Sequence, residues 1–142
     1  MVTIWEALLA SPDFLSHLGV EAVQRHEEQY WSGWTAHSDP AFIALDGNGR
    51  KLGAILLKPS DPGQPAAGWR LSMGLEADVR GQGIGQRLIE RVVEFARADG
   101  KRYVNLLVDP TNIRAIALYR RRGFVDVGMH DNVIEMRLSF DP

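Results

Sequence analysis

The apolar residues Ile84, Leu88, Val92, Phe95 and Ala96 recur about once per helical turn, while Arg87, Glu90, Arg91, Glu94 and Arg97 lie off their stripe. This spacing predicts an amphipathic helix from about Ile84, stopped at Gly100. Tyr103–Val108 (YVNLLV) then has the length and content of a buried strand. Pro110-Thr111 opens another helix, which runs through Ala115, Ile116 and Leu118 to Arg120-Arg121-Arg122 and meets a terminator in Gly123. The runs Phe124–Val127 and Val133–Leu138 predict two closing strands.

Ahead of these, Val2–Trp5 is a short β-type run, and Ser11-Pro12-Asp13 is a helix start with proline in the first turn. Phe14, Leu15 and Leu18, then Val20, Val23 and the Tyr30-Trp31-Trp34 group, predict two amphipathic pieces bent near Gly19 and ending by about His37. Ala41–Leu45 and Leu52–Leu57 flank Asp46-Gly47-Asn48-Gly49, a hairpin turn sequence. Residues 59–68, with three prolines and two glycines, predict a loop leading to a strand over Trp69–Leu75. The pattern shows no repeat, linker or second domain, so residues 1–142 read as a single α/β domain.

A chain of 142 residues buries roughly 68–70% of its unfolded surface, enough for one core. Hydrophobic residues at 45% and charged residues at 24% place it among globular proteins. A net charge of -2 lacks the basic footprint of a nucleic-acid binder, and a small-molecule or protein partner is expected. There is no cysteine, which excludes disulfides, thiolate metal sites and a cysteine nucleophile. No apolar run approaches the ~20 residues that span a bilayer, and the N-terminus lacks a signal-peptide pattern, so the chain reads as cytoplasmic with no membrane partner. His17, His26, His37 and His130 show no paired ligand spacing, and no metal is expected.

The candidate chemistry sits in DVRGQGIGQRL, Asp78–Leu88, where Gly81, Gly83 and Gly85 precede the amphipathic helix. The first N–H groups of a helix lack internal acceptors and carry a partial positive charge, so the loop is suited to a phosphate that glycine allows to approach. The other reading is a glycine turn that tightens strand–helix packing. The third glycine of a dinucleotide fingerprint and the Gly-Lys-Ser/Thr of a Walker loop are both missing.

Arg80-Gly81-Gln82-Gly83-Ile84-Gly85 resembles the Gln/Arg-x-x-Gly-x-Gly/Ala loop of the GNAT superfamily of acetyl-CoA-dependent N-acetyltransferases. Asn112, Ala115, Leu118-Tyr119 and Gly123-Phe124 are similar to the N-x-x-A-x-x-LY-x-x-x-GF pattern after that family's next strand. The resemblance covers Trp69 to about Leu138. It implies a mixed sheet of about six or seven strands with about four helices. Strands ending near Leu75 and Val108 would splay apart and admit the pantetheine arm of acetyl-CoA, the co-substrate.

By the same resemblance, backbone N–H groups from Gly81 through Gln82 and Gly83 to Gly85 hold the diphosphate. Arg80 either contacts a phosphate or caps the loop. Met73 and Leu75 offer backbone groups to the pantetheine and the acetyl carbonyl, their side chains being core. Asn112 bonds the cofactor arm, serves as a helix N-terminal residue, or does both. Tyr119 either protonates the departing thiolate or is a packed helix tyrosine. Glu76 is the first candidate for the base that deprotonates the acceptor amine. Ribosomal-protein N-terminal acetyltransferases have a glutamate where this chain has Leu107, which leaves Glu76, Glu27, Glu28 or a water chain.

Residues 27–34, EEQYWSGW, fall where the family walls its acceptor pocket. Tyr30, Trp31 and Trp34 with Glu27 and Glu28 either meet a cationic acceptor or form core and a solvated face. Arg120-Arg121-Arg122 either reach the cofactor's 3′-phosphate or complement the helix dipole. The expected reaction is acetyl transfer from acetyl-CoA to a primary amine of a small molecule by direct attack. Peptide acetylation and acyl-CoA binding without catalysis are the alternatives. A monomer and a homodimer are both compatible with the sequence.

Overall fold

The computed structural model describes residues 2–7 and 40–140. The two helices expected before His37, with the aromatic and acidic side chains of residues 27–34, lie outside the described residues. Seven strands and two α-helices are described: β1 Thr3–Ala7, β2 Ala41–Leu45, β3 Lys51–Pro59, β4 Gly68–Leu75, α1 Ile84–Ala98, β5 Tyr103–Val108, α2 Ile113–Arg121, β6 Val125–His130 and β7 Val133–Ser139. A 3-10 turn at Ala77–Val79 precedes α1. All seven strands join one sheet in the order β1-β2-β3-β4-β5-β7-β6. The pairs β1–β2, β2–β3, β5–β7 and β6–β7 are antiparallel and β4–β5 is parallel, so the sheet is mixed as expected. Of the four helices expected, two are among the described residues.

The chain divides into two compact units, one of Met1–Leu56 with Met73–Leu88, the other of Leu57–Ser72 with Ile89–Pro142. In the first, β2 is buried along its whole length, as its continuous apolar run AFIAL requires. The turn to β3 closes as its sequence predicts: Asp46 Oδ1 accepts the N–H groups of Asn48 and Arg50, and Gly49 takes φ +81°. Gly53 on β3 is needed for close approach. A Cβ there would collide with Leu75 Cδ2 and lie 2.9 Å from Gly74 O.

In the second unit both helices end as their glycines predict. Lys101 N–H bonds Ala96 O and Gly100 N–H bonds Arg97 O after α1; Phe124 N–H bonds Tyr119 O and Gly123 N–H bonds Arg120 O after α2. Gly100 and Gly123 take φ +76° and +96°. Each end is a Schellman motif, whose crossed bonds satisfy the last carbonyls. Asp131 and Asn132, at φ +48° and +70°, make the two-residue turn between β6 and β7. Such a turn matches the strand twist. β6 runs on to His130, beyond the Val127 expected from sequence, because its exposed residues carry no periodic signal. On β5, Val104, Leu106 and Val108 point into the core, which Met136 of β7 shares.

Candidate functional site

The glycine loop belongs to the first unit and is held at both ends. Where β4 finishes, Glu76 N–H donates to Leu52 O at 2.8 Å, and the 3-10 turn buries Val79. Arg50 reaches from the β2–β3 hairpin to Asp78 Oδ1 at 2.7 Å. That bond holds the Asp78 carboxyl below the usual carboxylate range. This tie between residues far apart in sequence has no local signal in either segment. Met73 and Leu75 are half-buried rather than core, because β4 alternates between partial and full exposure toward its end.

Beyond the turn the backbone does what the glycines predict. Gly81 and Gly83 take φ +83° and +82°, which side-chain-bearing residues adopt at a cost. The first helical bond back to the loop is Arg87 N–H to Gly83 O at 3.2 Å. The N–H groups of Gly83, Ile84 and Gly85 therefore precede the ladder, and the first turn of α1 carries no acidic residue. Space around Gly83 is open: apart from its chain neighbours, no atom lies within 4 Å of where a Cβ would stand. Arg80 and Gln82 are exposed, and Arg80 NH2 lies 3.4 Å from Leu75 O, a long bond over the turn. Glu76 is exposed too. Burial pushes the nearby Lys51 ammonium down, and the Glu76 charge opposes that shift.

In the second unit, Asn112 caps α2: its side-chain oxygen accepts Ala115 N–H at 3.3 Å. Asp109 sets the preceding turn by accepting the N–H and hydroxyl of Thr111, and these bonds hold its carboxyl below the usual range. Tyr119 is buried, its ring 5.8 Å from that of Phe124. The two are the positions whose apolar contact accompanies a Schellman motif, which gives Leu-Tyr-x-x-x-Gly-Phe a structural rationale besides any catalytic one. Arg120 pairs with Asp126 at 3.2 Å and Arg122 with Glu90 at 2.5 Å. Leu107 is 42% exposed, opposite Glu135 in the β5–β7 register. No group of three metal-ligating side chains occurs among the described residues, and no helix there is long and apolar enough to cross a membrane.

A family model for the acetyltransferase (GNAT) family matches residues 4–124, spanning both the loop and α2. The chain belongs to the GNAT family. Over 134 residues it is 33% identical to a mycothiol acetyltransferase of Beutenbergia cavernae, a match covering 89% of this chain and 42% of that protein. It thus spans less than half the length of this curated relative. Among solved structures, a GCN5-related N-acetyltransferase from Kribbella flavida aligns with TM-score 0.78 at 21% identity, covering 98% of each chain. A GNAT phosphinothricin acetyltransferase from Sinorhizobium meliloti, solved in complex with AcCoA, aligns with TM-score 0.72 at 20% identity over 97% of this chain and 88% of the other. These likenesses show the GNAT fold, in which the parallel β4–β5 register runs from Gly68↔Tyr103 to Arg70↔Asn105 while both strands continue further.

Proposed function

We propose that the chain transfers the acetyl group of acetyl-CoA to a primary amine of a small molecule by direct attack. The observation that carries this reading is the loop: two left-handed glycines and a run of N–H groups ahead of the α1 ladder, in a chain of the GNAT family. In this reading the backbone from Gly81 to Gly85 binds the diphosphate. Arg80 and Gln82 face it from solvent, backbone groups of Met73 and Leu75 meet the pantetheine and acetyl carbonyl, and Asn112 contacts the arm beside its capping role. The amine nitrogen forms a bond to the thioester carbonyl carbon, the carbon–sulfur bond breaks, and the Tyr119 hydroxyl protonates the departing thiolate. Glu76, exposed beside the loop, is its carboxylate candidate for the amine's proton. The small-molecule acceptor draws support from the relatives named for mycothiol and phosphinothricin.

Calorimetric titration with acetyl-CoA tests the loop. Gly83→Val places a branched side chain in the open space at the helix start and also strains a backbone at φ +82°. Gln82→Glu adds only a negative charge. Both are expected to weaken binding at least about tenfold while a cooperative thermal transition is retained, since charge repulsion and lost approach each cost about 1.4 kcal/mol or more. Wild-type affinity in both would overturn the assignment.

A further inference from the structure

One face of the second unit's sheet carries a polar cluster that the reaction described above leaves idle. Asn105 Nδ2 donates to Glu135 Oε2 at 3.3 Å, Arg137 NH2 donates to the same oxygen at 3.3 Å, and His130 Nε2 lies 2.8 Å from Glu135 Oε1. The Glu135 side chain is 12% exposed and that of His130 58%. A fixed carboxylate thus lies beneath an imidazole open to solvent. Val108 stands opposite Ile134 in the register, so the pair occupies the end of β5 from which the Asp109–Asn112 turn launches α2.

Asn105 is the informative residue. A carboxylate accepts and never donates, so its bond to Glu135 fixes which way the amide points. The amide oxygen is then buried with no hydrogen-bond partner. A buried acceptor without a donor is costly, and an apolar residue would spare the fold that cost. What asparagine adds is its hold on Glu135. Burial works to raise the Glu135 carboxyl, but the bonds from His130 and Asn105 and the Arg137 charge outweigh it and keep the group below the usual carboxylate range.

We propose that His130, oriented by Glu135, takes the proton from the acceptor amine, with Asn105 and Arg137 as positioning residues. The proposal rests on the acetyltransferase reading and assigns to an imidazole the role for which Glu76 was the carboxylate candidate. A free imidazole titrates near 6.5 and a free glutamate near 4.3, so the imidazole is the better matched base at neutral pH. With Nε2–H donating to the Glu135 carboxylate, the Nδ1 lone pair takes a proton from the ammonium, leaving neutral amine and imidazolium. The amine nitrogen then bonds the carbonyl carbon as the carbon–sulfur bond breaks. Tyr119 protonates the thiolate and recovers a proton from the acylated nitrogen, and the imidazolium discharges to water. The charged and titratable groups that face this side are Glu135 and Arg137 on β7, Tyr103 on β5, whose ring Arg137 covers, and Arg70 opposite Asn105 on β4.

The test follows thiol release from acetyl-CoA against pH, with benzylamine, putrescine and alanine amide, for the whole chain and its variants. Wild-type kcat/KM is expected to rise between about pH 5 and 8. His130→Gln should lose that limb and about 10²–10⁴-fold in rate, with unchanged acetyl-CoA affinity by calorimetry. Glu135→Gln should lower kcat with KM and acetyl-CoA affinity close to wild type, and Glu135→Asp should recover part of the loss, because the carboxylate that orients the imidazole is removed in the first and kept in the second. Glu76→Gln is assayed beside them as the competing carboxylate. A His130→Gln enzyme with wild-type rate and profile, a limb lost in Glu76→Gln, or a Glu135→Gln enzyme with wild-type kcat overturns this proposal alone. A wild type that releases no thiol with any of the amines overturns the acetyltransferase reading and this proposal with it.

Discussion

Tyr119 sits where two demands meet. Its ring closes the end of α2 against Phe124, and its hydroxyl is the proton source in the proposed transfer. Tyr119→Phe separates them, because phenylalanine keeps the ring and removes the proton. The acetylation rate is expected to fall about 10²–10⁴-fold while acetyl-CoA affinity stays close to wild type. A rate near wild type in steady-state assays would leave the residue as packing alone. Gly53 makes an independent claim on the fold. Gly53→Ala drives a methyl into Leu75 and Gly74 O, and chemical denaturation should show a loss of about 1–3 kcal/mol. The partner in that contact was not legible, since glycine within an apolar strand says that something comes close without naming it.

At the scale of elements, the helix ends were the most legible features. Gly100 and Gly123 stop α1 and α2 because each must adopt a left-handed backbone, a demand that is local and therefore visible in a short window. The start of α2 was legible as a cap, a cofactor ligand or both, and the cap is observed. Asn112→Ala is expected to destabilise the fold by about 1 kcal/mol, with any further loss in acetyl-CoA binding measured by calorimetry being the ligand contribution. Asp109 adds a pH dependence to the same turn. Its folded pKa is lowered, so its stabilising effect is complete above the unfolded value of about 3.9 and fades as pH falls through the folded value. Denaturation midpoints of wild type and Asp109→Asn should therefore converge as pH drops below about 4. A constant gap would show that the Thr111 bonds do not depend on the charge. The full length of β6 and the Arg50–Asp78 tie were not legible, the first because an exposed strand has no apolar rhythm, the second because it joins distant segments.

For the whole molecule, hydrophobic pattern and motif resemblance together led to the mixed sheet and the family. The placement of β7 between β5 and β6 follows from pairings that no local pattern encodes. The same limit hid the Asn105–Glu135–His130 cluster: its members come from three strands, and only the β5–β7 and β6–β7 registers bring them to one face. The central claim concerns what the molecule does with the acetyl group, and product analysis tests it most directly. The chain is incubated with acetyl-CoA carrying an isotope-labelled acetyl group, together with a panel of small primary amines and a matched panel of N-terminal and lysine peptides, and the products are read by mass spectrometry. The proposed function expects labelled N-acetyl amine and free coenzyme A in equal amounts, with the small amines turned over faster than the peptides. Coenzyme A binding without labelled amide, or label confined to the peptides, would contradict it.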